Sequence, residues 1–118
     1  MYYVRRRRSK EKSLNYGLRI VGLYRYLVRE HRETVLSKQI LRSGTSIGAN
    51  ISEAIYGSSR KDFVAKLQIA RKEAAETEYW LDLLYGSAFL TEKQYCSMRN
   101  DCKELIAILT SSIKTSGV

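Results

Sequence analysis

Ser43-Gly44-Thr45-Ser46-Ile47-Gly48-Ala49-Asn50-Ile51-Ser52-Glu53-Ala54 is the stretch on which the reading of the fold turns. Ile47, Ile51 and Ala54 recur at helical spacing, and small or polar residues occupy the positions between them. Glycine inside a helix is less favourable than alanine by about 1 kcal/mol, so Gly44 and Gly48 ask for tight packing as compensation. The expected site of that close crossing is a neighbouring helix that carries Ala70 and Ala74.

On both sides of this stretch the chain reads as helix separated by short polar turns. It contains no proline and sustains no strand-like alternation. The first helix is expected from Ser9 or Ser13 to Glu30, with Leu14, Leu18, Val21 and Val28 inward and a turn at His31-Arg32-Glu33-Thr34. The second runs from about Thr34 to Tyr56 on Leu36, Ile40, Ile47, Ile51 and Ala54, and Gly57-Ser58 ends it. Ser59 and Asp62 then form a capping-box pattern before Phe63, Leu67, Ala70, Ala74, Thr77, Leu81 and Leu84, whose alternating steps of four and three make a bundle seam. Gly86 closes this helix. Thr91 and Gln94 open the last, which carries Tyr95, Met98, Cys102, Leu105, Leu109 and Ser112 or Ile113 and ends near Thr115. Short connections between long helices predict an all-α, antiparallel up-down-up-down four-helix bundle over residues 13–116, preceded by a basic tail at 1–12. Its core should hold Ile47, Ile51, Ala70, Ala74, Leu81, Cys102 and Leu105.

The formal net charge is +9, from 21 basic and 12 acidic residues in 118. Arg5, Arg6, Arg7, Arg8, Lys10 and Lys12 against Glu11 place five of those net charges in the first twelve residues. Such a segment is either a solvated arm or a contact for a polyanion, RNA or DNA above all. Arg19, Arg25, Arg29, Arg32, Lys38 and Arg42 are candidates for a basic face that would extend it. Arg5 to Arg8 precede no apolar segment, so a secretory signal is not indicated and cytoplasmic residence is expected. No apolar run has membrane-spanning length, and no membrane association is expected. Cys96 and Cys102 are about 9 Å apart along one helix, beyond disulfide reach, and read as core thiols. His31 reads as a surface histidine, and one histidine with no Cys/His cluster suggests neither zinc nor haem.

Chemistry has few footholds. No Ser/His/Asp or Cys/His arrangement and no phosphate-cradling glycine loop is present, so no catalytic residue, cofactor or metal is assigned and the protein is expected not to be an enzyme. Gln39, Arg42, Ser46, Asn50 and Glu53 form a polar row beside the apolar seam. Arg42, Asn50, Glu53 and Glu73 make a candidate network that fixes helix register, with a carboxylate metal site at Glu53, Glu73 and Glu76 as the alternative. Tyr16, Ile20, Leu23 and Leu27 form a second apolar stripe on the first helix, read either as an oligomer interface or as part of a widely buried helix. Ile69, Trp80 and Leu83 also lie off their seam. Tyr2, Tyr3, Tyr26 and Tyr85 are candidates for stacking on unpaired bases.

Two segments carry a resemblance: Leu41-Arg42-Ser43-Gly44-Thr45-Ser46-Ile47-Gly48-Ala49-Asn50, and the spaced pattern Glu73-Ala74, Glu76, Trp80-Leu81. Through them the chain resembles the proteins encoded within intervening sequences of bacterial 23S ribosomal RNA genes. The resemblance spans roughly Ser13 to Thr115 and implies a four-helix bundle that assembles as a homopentamer. In fold and charge the chain is also distantly similar to the accessory variability-determinant proteins of diversity-generating retroelements, basic pentamers that bind nucleic acid and a reverse transcriptase. That second similarity, being one of fold, assigns no function. Basicity and the ribosomal-gene association that the first resemblance implies favour nucleic-acid binding, and an oligomeric scaffold for another protein is the rival expectation.

Overall fold

Among the described residues four helices form and no strand does: α1 (Tyr2–His31), α2 (Leu36–Ile55), α3 (Arg60–Gly86) and α4 (Glu92–Thr115). The computed structural model describes the backbone of residues 2–116 and the side chains of residues 7–116. Local chemistry explains each boundary. α1 ends where Arg32 takes a positive φ of 54° and the Glu33 N–H reaches back to the Leu27 carbonyl at 3.0 Å. The Glu33 carboxylate then caps α2, accepting from the N–H groups of Val35, Leu36 and Ser37 at 3.1, 3.0 and 2.7 Å. Burial pushes this carboxyl up, but the three backbone donors prevail and hold it below the usual carboxylate range. Ser59 caps α3 by accepting from the Asp62 N–H, and the Thr91–Gln94 capping box opens α4 in both directions. Between those helices Ala88 sits at φ 65°, with Ala88 N–H on the Tyr85 carbonyl and Phe89 N–H on the Leu84 carbonyl, a Schellman closure.

The helices enclose one apolar core in a body of 44 × 21 × 19 Å, whose long axis matches the length of α1. α2 lies between α1 and α3, and α4 returns against α3 and α1. Paired residues run in opposite order across each contact: Ser13 and Ile20 against Gly48 and Gly44, Ser43 and Glu53 against Thr77 and Lys66, Asp82 and Ala74 against Arg99 and Cys102. All seven expected core residues are buried. Among the described residues no helix is long and apolar enough to cross a membrane.

The α2 glycines face α1, not α3. A Cβ added at Gly44 would stand 2.7 Å from both Cδ1 and Cγ1 of Ile20, and one at Gly48 would stand 3.3 Å from the Ser13 carbonyl oxygen and Oγ. Ala70 and Ala74 are fully buried, and the Ala74 carbonyl accepts from the Cys102 thiol of α4 at 3.3 Å. Burial pushes that thiol up to about 12, so Cys102 stays a protonated donor in the core. Cys96 is exposed, against expectation, because it lies on the outward face of α4. Between α2 and α3 the Thr77 and Ser43 hydroxyls meet at 2.9 Å, fully buried, while Thr77 donates to the Glu73 carbonyl at 2.8 Å.

The inward and outward stripes of α1 are the reverse of the sequence reading. Tyr16, Ile20, Leu23 and Leu27 are core residues, each at most 8% exposed, whereas Leu14 and Leu18 are 63% and 64% exposed. Residues inside the monomer's own core are not available as an oligomer interface. Two contacts fix this phase: Ile20 fits against Gly44, and Tyr16 donates its buried hydroxyl to the Met98 carbonyl of α4 at 3.0 Å. Burial also drives the Tyr16 phenol far above the ordinary tyrosine range. The basic segment is likewise no separate tail, since α1 begins at Tyr2 and buries Ser9 and Ser13 on the core side.

Candidate nucleic-acid interface

α1 holds nine basic residues against Glu11 and Glu30, so seven of the nine net charges ride on it. Arg5 and Arg6 lie outside the described side chains. Arg7 is exposed and pairs with Glu11 at 3.1 Å, Arg8 is exposed, and Lys12 is held by Glu104 of α4. Arg19 is committed to packing: it donates to Asp101 at 2.5 Å, to Ser97 Oγ at 2.8 Å and to the Ser97 carbonyl at 3.3 Å. It thus stitches α1 to α4, and of the expected phosphate ligands it is the least free.

Arg25 and Arg29 differ. Both are exposed, as is Arg32 just past the helix, and no ion pair among the described residues engages any of the three. Arg25 and Arg29 are one helical turn apart, about 6 Å along the axis, which suits consecutive phosphates of a strand. Exposed Lys38 stands at the start of α2 beyond the connecting loop. These cations form the free part of the basic face.

The polar network assembles only in part. Arg42 reaches Glu73 at 3.4 Å and also pairs with Glu76, which accepts from Trp80 Nε1 at 2.9 Å. Glu53 instead pairs with Lys66 at 2.8 Å, and Asn50 donates to the Ser46 carbonyl of its own helix at 2.8 Å. The three glutamates therefore do not converge, and among the described residues no three His, Cys, Asp or Glu side chains gather as metal ligands.

The aromatic candidates have intramolecular partners. His31 is half-buried between Tyr26 and Phe89, with ring centroids at 5.3 and 5.5 Å and its Nε2 3.2 Å from the Tyr26 hydroxyl. It ties the end of α1 to the α3–α4 connection, a role the sequence reading missed. Tyr85 stacks on Tyr95 at 4.4 Å and 11°, while Asp82 accepts from the Tyr95 hydroxyl at 2.6 Å and also from Arg99. Tyr2 and Tyr3 lie outside the described side chains.

This geometry coincides with a known architecture. A model of the 23S rRNA-intervening sequence protein family matches residues 7–111. The chain belongs to the 23S rRNA-intervening sequence protein family. The family match begins at Arg7, so it takes in much of the basic first part of α1 together with the bundle. The chain is also similar to the crystal structure of a protein of unknown function from the S23 ribosomal protein family of Bacteroides thetaiotaomicron. The two are 55% identical, with a TM-score of 0.92, over 93% of this chain and 98% of that one. No curated protein matches the chain.

Proposed function

We propose that this member of the 23S rRNA-intervening sequence protein family is a non-enzymatic, cytoplasmic, oligomeric bundle that binds RNA or DNA through phosphate contacts without sequence specificity. The observation that carries the reading is the unengaged cations Arg25 and Arg29, on a helix that holds most of the net charge, with Arg32 just past its end. Arg7 and Arg8 extend it, and the surface pair with Glu11 is an exposed one that contributes at most about 1 kcal/mol and yields readily to phosphate. Assembly is proposed as a closed homo-oligomer, a pentamer as the resemblance implies, through exposed Ile69 and Tyr79 of α3 and the half-buried Trp80 and Leu83 beside them. A protein-binding scaffold is the second reading, favoured by the exposure of Leu14 and Leu18.

The test is fluorescence anisotropy with labelled RNA and DNA oligomers over a salt series, alongside the native mass. Binding should weaken steeply with salt, and replacing Arg25, Arg29 and Arg32 by alanine should flatten the logarithmic slope by about 2–3 with helical content unchanged. Absence of binding at low salt would exclude the nucleic-acid reading. A monomeric mass at high concentration would exclude the oligomer.

A further inference from the structure

The outward face of α1, taken in steps of three and four, reads Arg7, Lys10, Leu14, Leu18, Val21, Arg25, Arg29. Two cationic turns thus bracket an apolar middle. Beside that middle α2 contributes Thr45, Gly48, Ala49 and Ser52, and with Ser13 and Gly17 the two helices enclose a groove of about 320 Å³. Its floor is open, since a Cβ at Gly17 would meet nothing within 4 Å. Scattered exposed leucines are ordinary, but adjacent ones that line a groove form the contiguous patch that marks a contact surface.

Charge says what covers it. Lys10 is the only charged residue among the ten that line the groove. The carboxylates nearest in sequence, Glu11 and Glu53, are taken by Arg7 and Lys66. We propose that the groove docks an amphipathic α-helix of another protein, one whose apolar stripe is bracketed by carboxylates. Lys10 and Arg25 are fifteen residues apart on α1, or about 22 Å, so the acidic ends of the docked helix lie that far apart. Antiparallel or parallel, such a helix completes a three-helix layer with α1 and α2. A second copy offering its own α1 would set seven net positive charges against seven, and phosphates would find no donor along Leu14, Leu18 and Val21. This inference stands independently of nucleic-acid binding, although Arg25 would serve both ligands.

The probe is a panel of synthetic helical peptides of about 18 residues, enough to span that distance, with a leucine stripe at the centre and either glutamates or lysines at both ends. Titrated into the isotope-labelled full-length protein, glutamate-ended peptides should give saturable shifts centred on the amides of Gly17, Gly48 and Ala49. The double variant Leu14→Ser with Leu18→Ser should weaken that binding by about tenfold or more, as removal of central apolar anchors does, and both positions are exposed enough to leave the core intact. Arg25→Glu should weaken it further and lysine-ended peptides should bind poorly. The proposal is overturned if no glutamate-ended peptide binds, or if glutamate- and lysine-ended peptides bind alike. It is also overturned if the same amides respond to protein concentration alone, or to phosphatidylglycerol vesicles and not to peptide.

Discussion

Gly44→Ala should destabilise the protein even though alanine is the better helix former. The new methyl carbon would stand 2.7 Å from Cδ1 and Cγ1 of Ile20 and 2.9 Å from Cγ2. Only Cδ1 is the free end of that side chain; the other two atoms are fixed on the Ile20 branch point, and Ile20 is fully buried. Relief therefore requires a new rotamer in a filled core or a shift of α1, which places the cost in the upper part of the overpacking range of about 1–3 kcal/mol. Helix propensity returns about 1 kcal/mol, leaving a net loss of about 1–2 kcal/mol. Gly17→Ala and Gly22→Ala supply the control, because a Cβ at either position meets nothing within 4 Å. Each should gain up to about 1 kcal/mol. Urea unfolding followed by circular dichroism, at one fixed protein concentration, reads the difference in sign directly. Adding Ile20→Ala to Gly44→Ala should cost less than Ile20→Ala alone, because the methyl then fills part of the space vacated. If Gly44→Ala stabilises as much as Gly17→Ala does, the contact with Ile20 does not set the α1–α2 distance.

Glu33→Ala should remove the α2 cap and cost about 0.5–2 kcal/mol near neutral pH. Because the folded carboxyl is held below its usual range, its contribution is present above the unfolded value of about 4.3 and fades as pH falls through the lower folded value. The gap between wild type and variant should thus narrow in acid, and a gap independent of pH would show that the charge is not what caps the helix. Ala88→Gly should raise the urea midpoint by the equivalent of about 0.5–1 kcal/mol, since it relieves the left-handed strain at φ 65° and gives back part of that gain in the unfolded chain. A loss of stability there would mean that the Ala88 methyl makes a contact worth more than the strain.

Most of the fold was legible because α2, α3 and α4 each carry one apolar stripe. Phe63, Leu67, Ala70, Ala74, Thr77, Leu81 and Leu84 are buried as their spacing requires, and so are Met98, Cys102, Leu105 and Leu109. α1 carries two stripes, and spacing alone does not choose between them. The flanks could have decided it: the stripe of Tyr16 and Ile20 continues backward into Ser13 and Ser9, small enough to sit against a neighbouring helix. The stripe of Leu14 and Leu18 runs into Arg7 and Arg25, which a core does not accept. The site was less legible. Glu33 as a cap and Arg19 as a stitch depend on where a carboxylate or a second helix falls in space, and helical spacing carries no such information. The Arg42–Glu73 contact was readable from border positions on adjacent helices, whereas Glu53 found Lys66 because that cation faces it across the α2–α3 contact.

The unbroken run of α1 through Arg7, Arg8, Lys10 and Lys12 changes what kind of ligand its charges suit. A loose basic arm forfeits about 1–2 kcal/mol of backbone freedom for each residue that settles on a polyanion, whereas residues already in a helix have lost that freedom on folding. The charges are preorganised, at the expense of adaptability. From Arg7 to Arg29 they span about 33 Å of helix axis, in two cationic turns with the apolar middle between them. Such a helix cannot curl around a compact anion, so under the proposed reading its cationic turns suit a partner that presents negative charge at two places held that far apart.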